Sequence, residues 1–281
     1  MRIDLHTHST VSDGTATPTE VVTAAAEAGV DVVALTDHDT VTGWQEAAAA
    51  LRPGMTLVPG AELSCCWHDD GRRIGIHLLG YLFDPGDPAL AAEMSRVRSG
   101  LDNRALAMVD LLRADGVDVS WDEVRAIAGG DTVGRPHIAQ ALVDRGVVAS
   151  VNEAFEPHWL GRRYHLPKQA VDIVDAVRLV RDAGGVAVLA HPRRRDRTVP
   201  DGLVARLAEQ GLFGIEADHP EHTEEARAAV RALADKLGLV ATGSSDFHGT
   251  RKTVGIGANT TAPEVYEKIV AAATGGAPVT G

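Results

Sequence analysis

Short apolar runs alternate along most of the chain with longer stretches of helical period. The strand candidates are RIDL (2–5), VDVVALT (30–36), TLVPGAEL (56–63), RIGIHLLGYL (73–82), GVAVLAH (185–191), FGIEA (213–217) and LVATGSS (239–245). Several are rich in Val and Ile and almost continuously apolar, as strands buried on both faces of a parallel sheet are. Helical stretches lie between them. Thr17-Pro18-Thr19-Glu20 predicts a capping box with proline at the first helical position, and the helix EVVTAAAEAG behind it closes on Gly29. WQEAAAAL, VDIVDAVRLVRDAG, EEARAAVRALADKLG and PEVYEKIVAAATG repeat the pattern. Strand–helix alternation predicts a barrel or a doubly wound fold with a parallel sheet.

The rhythm breaks over residues 87–167, where helical stretches follow one another without a strand and end in the basic, aromatic link PHWLGRRYHLPK. This segment reads as a small all-helical insertion, leaving 1–86 and 168–281 to build the sheet domain. The final GGAPVTG is expected to fray.

Composition narrows the class. The length of 281 suits one large α/β domain, or one domain plus an insertion. Aromatics make up 4% of the chain and hydrophobic residues 44%, so Ala, Val and Leu must fill the core. No apolar run reaches the roughly 18–20 residues that span a bilayer. Arg2-Ile3-Asp4-Leu5 leads straight to His6, with no signal-peptide core. The two cysteines, Cys65 and Cys66, are adjacent and poorly placed to bridge, so the chain is expected to be cytoplasmic. A formal charge of −12 argues against a surface that grips duplex DNA. It is compatible with phosphorylated substrates where bound cations reverse the local sign.

The chemistry-bearing residues fall in one kind of place. His6 and His8 follow RIDL and point to one side. Asp13 lies in the loop behind them. His38 follows the second strand, Glu62 ends the third, and His77 lies in RIGIHLLGY. His191 ends VAVLAH, and Asp246 and His248 end VATGSSDFH. In a parallel barrel, strand C-termini share the face that holds the active site. One histidine at a strand end is ordinarily a hydrogen-bonded structural residue. Six imidazoles and three carboxylates converging without cations would be costly, because desolvated carboxylates need partners. Nine ligands exceed one zinc site and fit two or three ions. Mixed imidazole and carboxylate ligation suits manganese, iron or zinc.

The motifs DLHTHS, LTDHDT, PGAELS, HLLGY, LAHP and GSSDFHG, in this order, resemble those of the PHP family (polymerase and histidinol phosphatase domain). The chain looks like its branch of stand-alone nucleotide phosphoesterases, which includes 3′,5′-nucleoside bisphosphate phosphatases and a 5′–3′ exoribonuclease. The resemblance implies a distorted TIM-like (β/α)7 barrel with a small all-helical insertion. It implies three divalent ions, manganese ahead of iron or zinc. His6, His8, Glu62 and Asp246 would hold the first, Glu62, His77 and His191 the second, and Asp13, His38 and His248 the third. Glu62, Asp246 and His191 carry the catalytic assignment.

The same resemblance points to Arg135, His137, Arg194 and His222 as substrate-binding residues. It places Arg195 where relatives often carry an aromatic. The implied reaction is hydrolysis of nucleotide phosphate esters by metal-activated water. The substrate would be the 3′-phosphate of a 3′,5′-nucleoside bisphosphate, or short 5′-phosphorylated RNA. No membrane and no obligatory protein partner is expected. The alternatives are a histidinol-phosphate phosphatase, a metal-dependent amidohydrolase and a non-catalytic metal-binding module. The amidohydrolase reading lacks a candidate for the usual carboxylated lysine at a strand end.

Overall fold

A computed structural model describes residues 1–69, 71–129, 133–194 and 197–281. In chain order its first elements are β1 (Ile3–Asp4), α1 (Pro18–Glu27), β2 (Val32–Leu35), α2 (Trp44–Ala49), β3 (Thr56–Asp69) and β4 (Arg72–Tyr81). The helices α3 (Pro88–Ala114), α4 (Trp121–Ala128), α5 (Arg135–Asp144) and α6 (Val151–Ala154) follow. Next come β5 (Val171–Asp172), α7 (Ile173–Asp182), β6 (Val186–Leu189), β7 (Arg193–Arg194), β8 (Arg197–Thr198) and α8 (Asp201–Glu209). The chain closes with β9 (Gly214–Asp218), α9 (Glu224–Leu237), β10 (Val240–Gly243), α10 (Pro263–Ala272) and β11 (Val279–Thr280).

Two compact units result, Met1–Met94 with Ala170–Gly281, and Ser95–Gln169. The first is a distorted TIM-like barrel. Its strands run in the order β1-β2-β3-β4-β6-β9-β10. A bridge between Thr7 and Phe247, with His8 N–H donating to Phe247 C=O at 2.8 Å, brings the last strand's extension back to the first. The sheet is thereby nearly closed.

Both faces of each central strand are buried, which explains their apolar runs. Val32 and Ala34 pack inward with Ile3, Leu79 and Val188. Val33 and Leu35 pack outward against Val21, Val22 and Ala25 of α1. Thr17 caps α1 as its sequence predicts: Glu20 N–H donates to the Thr17 hydroxyl, and Thr17 N–H donates to the Glu20 carboxylate.

The sheet departs from a wholly parallel barrel at one strand. β4 is antiparallel to both β3 and β6. The cause is legible: only Asp70-Gly71 separate β3 from β4, and a two-residue connection cannot make a parallel crossover. His77 therefore lies inside β4, opposite Ser64, instead of at a strand end. Glu62 also lies inside its strand, because β3 continues to Asp69. The C-terminal segment differs from expectation as well. It is tied down, with β11 pairing antiparallel to β3 and Gly281 N–H donating to Met55 C=O. The helix α8 has no counterpart in the sequence reading, although Leu203, Val204 and Leu207 form its buried stripe.

The second unit has a core of its own, built from Met108, Val109, Leu112, Val124, Ile138, Leu142 and Leu160. Ser120 begins α4 with a second capping box, and Gly129 ends it at φ 64°.

Candidate metal centre

The strand ends of the barrel deliver a knot of buried ionisable groups. Glu62 lies at its middle and is almost fully buried. Its Oε1 is 2.8 Å from His77 Nδ1 and 2.9 Å from His191 Nε2. Its Oε2 is 3.1 Å from His8 Nε2 and 3.3 Å from both His6 Nε2 and His38 Nδ1. Asp246 Oδ1 lies 3.5 Å from His6 Nε2 and from His8 Nε2. Asp13 Oδ1 is 3.2 Å from His248 Nε2 and 3.7 Å from His8 Nδ1, and Oδ2 is 3.9 Å from His38 Nε2. All nine sequence-predicted ligands thus share one locality.

Four groups within it have donor atoms inside 4.8 Å of one another: His8, Asp13, His38 and His248; His6, His8 and Asp246; His6, Glu62 and His191; and His38, Glu62 and His77.

The residues do not satisfy one another. His6 Nε2 and His8 Nε2 face each other at 2.9 Å, a contact in which only one nitrogen can donate. The buried Nδ1 of His191 has no hydrogen-bond partner among the described residues, and His38 Nδ1, 3.3 Å from Glu62 Oε2, is not aligned to hydrogen-bond it. Imidazole nitrogens and carboxylate oxygens aimed at each other in this way fit divalent transition ions.

Electrostatics tell the same story. Burial pushes Glu62 and Asp246 toward the neutral form, but the surrounding histidines outweigh it and hold both carboxyls well below their ordinary range. Burial would also lower His6, yet Glu62, Asp246 and Glu216 raise it well above its ordinary value. His77 and His191 go the other way, and burial takes His191 down to about 3.

A second layer orients the first. Glu216 accepts from His6 Nδ1 at 3.2 Å and from His191 N–H at 2.7 Å, which turns His6 Nε2 toward the cluster. His248 Nδ1 donates to Asp246 C=O at 2.8 Å and so leaves Nε2 for Asp13. Asp37 accepts from Ser9 N–H and from the Ser9 and Ser12 hydroxyls, fixing the loop that carries Asp13. A Cβ on Gly14 would lie 2.6 Å from His8 O, so that loop needs glycine to fold back. His191 and Asp246 adopt positive φ, 25° and 51°. Such backbone costs about 1–3 kcal/mol per residue and concentrates at functional sites.

Sequence reasoning gave neither Glu216 nor His219 a part in the centre. His219 Nε2 is in fact 3.1 Å from Asp246 Oδ2, and both residues are buried. The signal was present, since EADH occupies the end of FGIEA just as the ligands occupy other strand ends.

The residues predicted to contact substrate are less uniform. Arg194 pairs with Glu221 at 2.8 Å. His222 uses both ring nitrogens on the backbone: Nδ1 donates to Ala217 C=O at 2.9 Å, and Nε2 accepts from Arg193 N–H at 3.1 Å. It therefore braces the β7–β8 hairpin against the end of β9. Arg135 and His137 begin α5 in the helical unit. There Arg135 lies over the Phe155 ring at 5.4 Å, and His137 Nδ1 accepts from Gly134 N–H. Arg195 lies outside the described residues. Cys65 and Cys66 are buried free thiols. No helix among the described residues is long and apolar enough to cross a membrane.

A nearly closed barrel with this donor cluster gathered at one end defines a metal-dependent hydrolase. Comparison with known proteins gives the family. A model described as PHP domain matches residues 4–112. A 3′,5′-nucleoside bisphosphate phosphatase of Chromobacterium violaceum is 38% identical over 251 residues, covering 88% of this chain and 87% of the relative. A 5′-3′ exoribonuclease of Haemophilus influenzae is 35% identical over 251 residues, 88% and 90% of the two chains. A phosphoribosyl 1,2-cyclic phosphate 1,2-diphosphodiesterase of Eggerthella lenta is also 35% identical, over 88% and 94%. A solved structure from Bifidobacterium adolescentis, described as a metal-dependent phosphoesterase, superposes with a TM-score of 0.82 at 32% identity, covering 97% and 96%. The chain belongs to the PHP family, and it is a phosphoesterase.

Proposed function

We propose that this phosphoesterase removes the 3′-phosphate of 3′,5′-nucleoside bisphosphates and also acts on short 5′-phosphorylated RNA. Both reactions attack a phosphorus bonded to a 3′ oxygen. The observation that carries the reading is the complete donor set around Glu62, in a chain alike over most of its length to a bisphosphate phosphatase. The cluster is proposed to hold three divalent ions, manganese ahead of iron or zinc. His6, His8, Asp246 and Glu62 would hold one, Glu62, His77 and His191 another, and Asp13, His38 and His248 the third. The division of Glu62 supports this, Oε1 facing His77 and His191 while Oε2 faces His6 and His8. Such ions supply Lewis acidity to a phosphoryl oxygen and lower the pKa of water.

The chain's own groups set the geometry. Glu216 and the Asp246 carbonyl fix the imidazole tautomers of His6 and His248. Burial keeps His191 neutral and able to ligate at physiological pH. Arg194, on the hairpin that His222 braces, is a proposed substrate contact, although its guanidinium is paired with Glu221 in this structure. Arg135 and His137 are the proposed substrate contacts of the helical unit, with a planar fork suited to phosphate in Arg135.

The test is a parallel assay of manganese-loaded protein. The substrates are 3′-phosphoadenosine 5′-phosphate, a short 5′-phosphorylated RNA, histidinol phosphate and phosphoribosyl 1,2-cyclic phosphate. Phosphate release from the bisphosphate is expected, with or without mononucleotides from the RNA. Turnover of histidinol phosphate or the cyclic ester alone would replace the nucleotide reading, and silence on all four would remove it.

A further inference from the structure

A cavity of about 330 Å³ opens beside the centre, bordered by His219, Glu221, Asp246, Arg251, Lys252 and Val254 among others. Its carboxylates already have cations. Glu221 pairs with Arg194 at 2.8 Å. Asp246 Oδ2 receives His219 Nε2 at 3.1 Å and also Lys252 Nζ. Arg251 differs from these. It is exposed, it ends the short 3-10 turn Gly249–Arg251 that follows the Asp246–His248 pair, and among the described residues it has no hydrogen bond or ion pair. Lys252 bridges the two regions. An ammonium has three donors, and with its side chain 31% exposed Lys252 can reach Asp246 and a ligand in the cavity together.

We propose that this cavity is an anion subsite in which Arg251 and Lys252 hold the phosphate that the reaction leaves in place. The inference rests on the bisphosphate reading above. A guanidinium fork binds a phosphate through paired N–H groups, and an ammonium adds a point charge. The volume falls at the lower end of the range for small-ligand sites of about 300–1,000 Å³. The cavity shares Asp246 with the metal cluster. A phosphate seated there lies beside Asp246, a residue of the donor cluster. The need for a further cation is visible elsewhere in the barrel: His222 is spent on backbone atoms, and Arg194 is held by Glu221.

Calorimetry on ion-stripped protein and KM on manganese-loaded protein test this, with 3′-phosphoadenosine 5′-phosphate compared against adenosine 3′-monophosphate. Arg251→Ala is expected to weaken bisphosphate binding by about 10–100-fold, the loss of one or two charge-assisted hydrogen bonds. The monophosphate should lose much less. Arg251→Lys should recover part of the loss, since the charge returns without the fork. KM for the bisphosphate should move more than kcat. Thermal melting of each variant checks that the exposed site is altered without unfolding. Equal losses on both ligands, or none on the bisphosphate, would overturn the subsite while leaving the bisphosphate reading intact. Failure of the wild-type protein to bind either nucleotide, stripped or loaded, would overturn that reading and the subsite with it.

Discussion

Leu5 and His6 are neighbours in sequence, as are Leu35 and Thr36 or Ala190 and His191, yet they belong to different physical regimes. Below that level the barrel is filled by Ile3, Val32, Val58, Tyr81 and Val188, all buried and apolar but for the Tyr81 hydroxyl. There the Tyr81 hydroxyl donates to Leu5 C=O at 2.8 Å, and buried Asp4 accepts from Ser245 N–H and Gly257 N–H. Above it the filling is imidazole and carboxylate, with Glu62 at the centre and ring nitrogens that find no hydrogen bond among the described residues. The lower layer buries apolar side chains against one another. The upper layer is assembled at a cost, through burial of charge and two strained backbones, and it makes sense only through what it binds.

Four perturbations probe this contrast. The largest effect is expected at the top. Glu62→Gln removes a charge shared by five imidazoles, so ion content should fall and turnover should drop by about 10³-fold or more. Elemental analysis beside the assay checks it, and full ion content with normal rate would break the comparison. Next is the bottom. Ile3→Ala should cost about 2–5 kcal/mol in denaturant melts while ion content per folded chain stays the same. A loss of ions in that folded variant would mean the layers are not separable.

Glu216→Gln acts through His6 and the His191 backbone, and should weaken ion affinity by about 10–100-fold without abolishing binding. Chelator competition measures it. The last perturbation is pH, whose effect per unit is small. His191 titrates near 3 when folded and at 6.5 when unfolded. Between those values the unfolded chain binds a proton that the folded chain refuses. Stability of the ion-stripped protein should therefore fall with acidification by about 1.4 kcal/mol per pH unit from this group. His6 is raised, so its contribution is present below pH 6.5 and is lost as pH rises through its folded value. Melting temperature against pH in chelator should peak near neutrality. A curve still rising well above pH 7 would contradict the assignment.

Periodicity and strand-end placement made much of this legible. The apolar runs mark every barrel strand of the sheet path, and Thr17-Pro18-Thr19-Glu20 announces α1 down to its cap. The rule that ligand-type residues cluster at strand ends brought His6, His8, His38, His191 and Asp246 to one locality. It described His77 poorly, because an antiparallel strand reverses which end faces the site, and the hairpin signal Asp70-Gly71 went unused. The functions of Glu216, His219 and Lys252 come from orientation. Which side of β9 faces the cluster, and where a lysine six residues beyond Asp246 returns, are tertiary facts that no local pattern carries. Helix α8 was obscured by the arginine-rich stretch before it, where polar residues hide the start of an amphipathic stripe.

The positive φ angles of His191 and Asp246 have a consequence for anyone who would engineer this protein. At both positions the backbone suits glycine better than the residue present, and both side chains sit in buried, charged surroundings. A screen that scores heat resistance alone, run without ions, rewards relief of that strain. Its winners would be expected to keep the barrel and discard the centre. Selection here should therefore be run with the ions present, so that robustness and purpose are measured in the same tube.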